Sequence, residues 1–227
     1  MYRLLTNILR DSYLPAVLGF KGGTACYFFY GLPRFSVDLD FDIITKKEDV
    51  NLISQEIYTR INSIISNEGF EIKDASLKLN TIFFLVSYEK EYQNIKIEIS
   101  QRNFLNKYEI KDFFGLSVKT MIKADLFAHK LVAATDRKNM ASRDFYDIYF
   151  FFKQSWPINE DIIKLRTGKS LKNYLSELEK FIKENLLNKN ILQGMGELLN
   201  ETEKIWVKNN LKAELLRIIT FYRDSNF

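Results

Sequence analysis

Gly19-Phe20-Lys21-Gly22-Gly23-Thr24, followed further on by Asp38-Leu39-Asp40-Phe41-Asp42-Ile43, decides how the chain is read. The apolar run Ala16-Val17-Leu18-Gly19-Phe20 is too short for a buried helix and reads as a strand. After the glycines and Thr24, Ala25-Cys26-Tyr27-Phe28-Phe29-Tyr30 reads as a short apolar helix closed by Gly31. Leu32-Pro33 stops it, since the residue before a proline is pushed out of the α region. A second strand then alternates strictly. Asp38, Asp40 and Asp42 share one face, and Val37, Leu39, Phe41 and Ile43 share the other.

Carboxylates in a row on one strand face repel each other. A divalent cation reverses the sign of that interaction, because Mg²⁺ takes hard carboxylate oxygens as ligands. Gly-Gly at a helix N-terminus complements it by exposing backbone N–H groups, with the helix dipole adding positive potential. Together these elements suggest a nucleoside triphosphate held by Mg²⁺. The plain alternatives are a simple turn at Gly22-Gly23 and solvated aspartates, Asp42 above all. A calcium loop is rejected: its sixth position requires Gly, and Ile43 stands there.

Two later stretches bear on the same chemistry. Ile95, Ile97 and Ile99 alternate with Lys96, Glu98 and Ser100, and an acid in mid-strand is out of place on propensity alone. A surface strand with mixed Lys and Glu would explain it, as would a third acid for the aspartate strand. Arg143-Asp144-Phe145-Tyr146-Asp147 places Asp144 and Asp147 on one helical face, with Arg143 spaced to pair with Asp147. On a purely structural account those aspartates contribute exposed-helix electrostatics of about 0.3–1 kcal/mol.

Lys21-Gly22-Gly23-Thr24, with Arg34-Phe35-Ser36-Val37-Asp38-Leu39-Asp40, resembles the first motif of the DNA polymerase β-like nucleotidyltransferases. Within that superfamily the chain is similar to the AbiEii toxins, which pair with an AbiEi antitoxin, and to the related MenT toxins. The likeness extends from about Leu18 to Tyr149. It implies metal ligation by Asp38, Asp40 and a third acid on a neighbouring strand, Glu98. It also implies a triphosphate contact for Lys130 and a required Arg-Asp-x-x-Asp motif at Arg143, Asp144 and Asp147.

The 227 residues suffice for one large domain or two small ones, and 46% hydrophobic content supports a real core. Cys26 is the single cysteine and His129 the single histidine, which excludes a disulfide framework and histidine-rich zinc chemistry. Cys26 lies in an apolar helix and reads as core. With no signal-like N-terminus and no membrane-length apolar stretch, the expectation is a cytoplasmic protein without a membrane partner. A net charge of +4 permits a nucleic-acid partner without requiring one.

Around these motifs, Tyr2 to Asp11 and Val50 to Asn67 show helical apolar spacing. A charged turn spans Lys46 to Asp49. Phe70–Leu79, Thr81–Tyr88 and Asn94–Ser100 read as an antiparallel meander, with turns at Lys78–Asn80 and Glu89–Glu91. Gln101 to Ser117 has no period and reads as a loop. From Val118 a helix is expected to run to about Asp136, with Lys123, Lys130 and Arg137 on one face; a solvated basic stripe is the ordinary explanation. Lys138 to Ser142 reads as a polar break with Ser142 as N-cap. Ser155-Trp156-Pro157 marks the expected boundary between a catalytic region, 1–155, and a helical region, 156–227. Lysines spread from Lys164 to Lys212 make a candidate nucleic-acid surface, although scattered lysines more often serve solubility.

The expectation is therefore an α+β protein: a polymerase-β-like nucleotidyltransferase core with a mixed sheet, then an α-helical C-terminal region. Two Mg²⁺ ions would be held by Asp38, Asp40 and Glu98. Lys21, Gly22, Gly23, Thr24, Arg34, Lys130 and Arg143 would bind the nucleotide, with Lys130 acting on the leaving pyrophosphate. By resemblance the acceptor is RNA, a tRNA, and the chain is the toxin of a toxin–antitoxin pair with an AbiEi-like antitoxin. The rivals are an antibiotic-type small-molecule nucleotidyltransferase and a non-enzymatic binding module.

Overall fold

The computed structural model describes residues 1–45, 50–88, 94–137, 140–187, 191–195 and 199–226. The turns expected at Lys46–Asp49 and Glu89–Glu91, and Lys138 with Asn139, lie outside these described residues. The chain divides into two compact units, Met1–Ile122 and Lys123–Phe227. Ser155–Pro157 falls inside the second unit, between two of its helices.

The first unit opens with α1 (Tyr2–Arg10) and α2 (Leu14–Val17), then β1 (Leu18–Lys21), α3 (Gly22–Tyr30), β2 (Leu39–Ile43) and α4 (Val50–Asn67). β3 (Glu71–Lys78), β4 (Thr81–Ser87), β5 (Ile95–Ser100), β6 (Tyr108–Phe113) and β7 (Leu116–Met121) follow. Among the described residues they form one seven-stranded sheet, ordered β3-β4-β5-β2-β1-β7-β6. It is mixed: β2 runs parallel to β5 and β1 to β7, while β1–β2, β3–β4, β4–β5 and β6–β7 are antiparallel.

Period-2 alternation drives one face into the core. Leu39, Phe41, Ile82, Phe84, Ile97 and Ile99 are buried together with Ile57, Ile61 and Ile65 of α4 and with Leu4, Leu5 and Ile8 of α1. Each such side chain contributes about 1.5–3 kcal/mol on full burial. The helical spacing of those isoleucines is why α4 forms where the sequence places it.

Two expectations fail in this unit. Ala16 and Val17 lie in α2, with Pro15 within its first turn, so the first strand begins at Leu18. The loop read at Gln101–Ser117 contains β6, and the helix read from Val118 begins only at Lys123, because Val118–Met121 belong to β7. β6 is an edge strand in which Glu109, Lys111 and Asp112 mask the alternation. In β7 the buried Val118, Thr120 and Met121 run almost directly into the next helix, which blurs the change of period.

The regular elements among the described residues of the second unit are all helices: α5 (Lys123–Asp136), α6 (Ser142–Lys153), α7 (Glu160–Thr167), α8 (Leu171–Asn185) and α9 (Glu201–Asn226). Phe127 meets Phe151 and Phe152 edge-on, and Phe151 stacks on Trp156 with centroids 4.1 Å apart. Asn159 caps α7 by accepting from the amides of Asp161 and Ile162. The N-cap of α6 is Ala141, with no side-chain cap, so Ser142 does not act as one. Several C-terminal lysines are neutralised within the unit, among them Lys183 by Glu179 and Lys204 by Glu201. No helix among the described residues is long and apolar enough to cross a membrane.

One close approach in the first unit fixes the row of strand acids. Gly19 pairs with Asp42 across β1 and β2, and the Tyr108 ring lies on it: a Cβ there would come 2.2 Å from Tyr108 Cε1. The Tyr108 hydroxyl donates to Asp42 Oδ2 at 2.7 Å. Gly19→Ala must push the ring away and break that bond, and should cost about 1–3 kcal/mol in urea unfolding. An unchanged midpoint would mean that the Tyr108 ring is not held there.

Candidate active site

β1 and β2 form the spine of the site. Their antiparallel register sets Lys21 beside Asp40 and Gly19 beside Asp42. The parallel register of β2 and β5 sets Asp40 beside Glu98. Asp38, Asp40 and Glu98 thus share one face of adjacent strands, as the alternation implied.

The three strand aspartates have different surroundings. Asp42 is buried and fully engaged: it pairs with the Lys21 ammonium and accepts from Asn106 Nδ2 at 2.9 Å and from Tyr108. With its side chain 3% exposed, it is not a solvated surface charge. Asn106 and Tyr108 came from the stretch read as a loop, so nothing in the sequence flagged them. Asp40 is partly buried, and its carboxyl is pushed above the ordinary range by burial. Asp38 and Glu98 push the same way, against Lys96 and Lys21. Asp38 is tethered through its backbone, since the buried Thr24 hydroxyl donates to its carbonyl oxygen.

At the start of α3, Gly22 has φ 79°, a left-handed conformation that glycine adopts without strain. A Cβ there would lie 2.2 Å from Asp40 Oδ2, so the missing side chain is also what lets the carboxylate reach the backbone. No side chain caps the N-terminus of α3. Its first-turn N–H groups lack intrahelical partners and carry the positive end of the dipole. The buried Arg34 adds a full charge there: its guanidinium lies 2.9 Å from where a Gly23 Cβ would stand, and Nη1 donates to the Phe35 carbonyl at 3.1 Å.

The donor set fits a divalent cation in chemistry: hard oxygen ligands held on neighbouring strands, close enough to repel one another. As placed, no three His, Cys, Asp or Glu side chains among the described residues converge tightly enough to hold an ion together. A cationic group already stands among these acids. Lys96 Nζ lies 3.6 Å from Asp38 Oδ2 and 3.4 Å from Glu98 Oε2. Lys96 was visible in the sequence only as the polar neighbour of Glu98 on one strand face.

The second unit holds its own charge cluster. Lys130 Nζ lies 2.9 Å from Asp144 Oδ1 and 3.0 Å from Asp147 Oδ2; its side chain is 14% exposed and both carboxylates 0%. Arg137 Nε stands 3.1 Å from Asp144 Oδ2. Arg143 is partly buried beside them in sequence. The basic stripe is therefore not uniformly solvated: Lys130 is largely buried, while Lys123 and Arg137 are exposed. The Lys123 ammonium lies 5.4 Å from the Trp156 ring centroid. Nor are Asp144 and Asp147 exposed helix charges. His129 is packing, its Nδ1 3.0 Å from Arg166 Nη1.

Acids on adjacent strands beside an uncapped Gly-Gly helix start set cation-attracting oxygens next to anion-attracting amides. The chain belongs to the AbiEii family, whose model, described as nucleotidyl transferase AbiEii toxin of a type IV TA system, matches residues 3–209. It is a nucleotidyltransferase. A protein of H. pylori of known crystal structure is similar to it, at 25% identity and TM-score 0.60, over 98% of this chain and 91% of that one. JHP933 from Helicobacter pylori shares the fold at 24% identity and TM-score 0.57, over 98% of this chain and 88% of that one. No curated protein matches the chain.

Removing Lys130 strands two buried carboxylates beside each other. Lys130→Met should lose about 3–5 kcal/mol in urea unfolding. Lys123→Met should lose about 1 kcal/mol or less, the usual size of an exposed cation–π contact. Equal small losses would show that the cluster carries no buried charge.

Proposed function

We propose that the protein transfers a nucleoside monophosphate from an NTP to an RNA acceptor, a tRNA, in a Mg²⁺-dependent reaction. It does so as the toxin of a pair whose other member is an AbiEi-like antitoxin. The observation that carries the reading is the Asp40–Glu98 pairing across parallel strands, with Asp40 against the backbone of Gly22.

Asp38, Asp40 and Glu98 would hold the metal ions. When bound, Mg²⁺ polarises the phosphoryl oxygens and favours deprotonation of the attacking hydroxyl. The amides of Gly22 and Gly23 receive the phosphates, with Arg34 strengthening the positive potential of the helix start. Thr24 acts by fixing the backbone of Asp38, because its hydroxyl is already committed there. Lys21 acts through Asp42, which it neutralises beside Asp40. Glu98, with its side chain 42% exposed, is the acid best placed to take the proton of the acceptor hydroxyl. By the family motif, Lys130, Arg143, Asp144 and Asp147 would serve the same reaction, with Lys130 as the cation for the leaving pyrophosphate; the burial of Lys130 with both aspartates supports that assignment.

Incubation with each α-labelled NTP, Mg²⁺ and total RNA should place label on an RNA band. Asp40→Asn should reduce it to background while the metal-free melting temperature holds or rises, since the amide removes a charge that burial and two acids oppose. Labelling by the Asp40→Asn variant, or no labelled RNA with any NTP, would overturn the reading.

A further inference from the structure

Lys96 sits on β5 two residues before Glu98 and so on the same face, level with Asp38 just ahead of β2 when the register that pairs Asp40 with Glu98 is extended. Its Nζ is 3.6 Å from Asp38 Oδ2 and 3.4 Å from Glu98 Oε2, with the side chain 31% exposed. Burial pulls its pKa down, yet the charges of Asp40, Asp38 and Glu98 outweigh this and hold the pKa above the ordinary lysine range. Lys21, the neighbouring cation on this face, is engaged by Asp42. Lys96 thus bridges Asp38 and Glu98 and opposes the charge of all three acids.

We propose that Lys96 is the resident counter-ion of the acid cluster, a positioning residue that holds Asp38 and Glu98 in the absence of metal and that a divalent cation must displace. This rests on the reading of those acids as the metal site. An ammonium brings one positive charge and three hydrogen-bond donors to carboxylates that would otherwise repel. A divalent ion brings twice the charge to the same oxygens, and the Lys96 ammonium stands where it would approach them. Binding of metal alone is opposed both by the repulsion of Lys96 and by the loss of its contacts with Asp38 and Glu98. The triphosphate adds negative charge that offsets the displaced ammonium, so the metal enters with the nucleotide. Lys96 thereby makes the acids compatible with a folded apoprotein and weakens their affinity for free metal.

The test is titration of the full chain with Mn²⁺ alone at pH 8, by calorimetry, with melting temperatures measured in parallel. Lys96→Gln should melt below wild type without metal, yet bind Mn²⁺ at least tenfold more tightly. Lys96→Arg should stay near wild type in both. Lys96→Met keeps the apolar stem and serves as a second neutral variant in case the amide disturbs folding. Mn²⁺ affinity in the neutral variants equal to or weaker than wild type would overturn the proposal while leaving the metal site standing. If neither wild type nor neutral variants show binding that Asp40→Asn abolishes, the metal reading itself falls and this proposal with it.

Discussion

The sheet of the first unit is organised around a repulsion. Asp38, Asp40 and Glu98 occupy one face of two adjacent strands, and the register that buries Leu39, Phe41, Ile97 and Ile99 leaves them no other face. A slip of one residue would send the acids into the core and the isoleucines into water. Hydrophobic burial therefore enforces a like-charge cluster that electrostatics alone would disperse. The neighbouring features answer that constraint. Lys96 leans in from β5, Lys21 is bound to Asp42, and Gly22 lacks the Cβ that would press on Asp40.

The second unit meets a related problem with a different solution. Asp144 and Asp147 are buried with Lys130 between them and Arg137 at the outer oxygen of Asp144. Buried ion pairs of this kind are poor sources of stability, since desolvation offsets most of the attraction. A hydrophobic core of similar volume would serve folding as well or better. Strongly charged groups held away from water cluster at functional sites for this reason. That cost, together with the family motif, supports an assignment of Lys130 and the two aspartates to the reaction.

Much of this was legible in the sequence. The helix over Val50–Asn67 and the three-stranded meander follow directly from period, and the Gly-Gly turn with its alternating acids from a few residues. The β6–β7 hairpin was not legible, because an edge strand with Glu109, Lys111 and Asp112 carries no clean alternation. The network of Asn106 and Tyr108 around Asp42 was hidden for the same reason: it joins residues far apart in the chain through a segment read as structureless. The burial of Lys130 with Asp144 and Asp147 was invisible for another. Spacing places charged residues on a helical face, but only tertiary packing decides whether that face meets water.

The three aspartates of β2 and its approach show how environment divides one residue type among different tasks. Asp42, lying over Gly19 and held by Lys21, Asn106 and Tyr108, has every oxygen engaged and serves the fold. Asp38 is fixed through its carbonyl by Thr24, and its carboxylate meets Lys96. Asp40, between them, is pressed against Gly22 and carries the raised pKa, with its charge opposed by burial and by both neighbouring acids. Separation of carboxylate environments is how acids acquire distinct roles in one site. Here it comes from what each position meets across β1 and β5. The carboxylate least compensated by the protein is the one nearest the uncapped start of α3, and a cation placed there would relieve the greatest repulsion in the cluster.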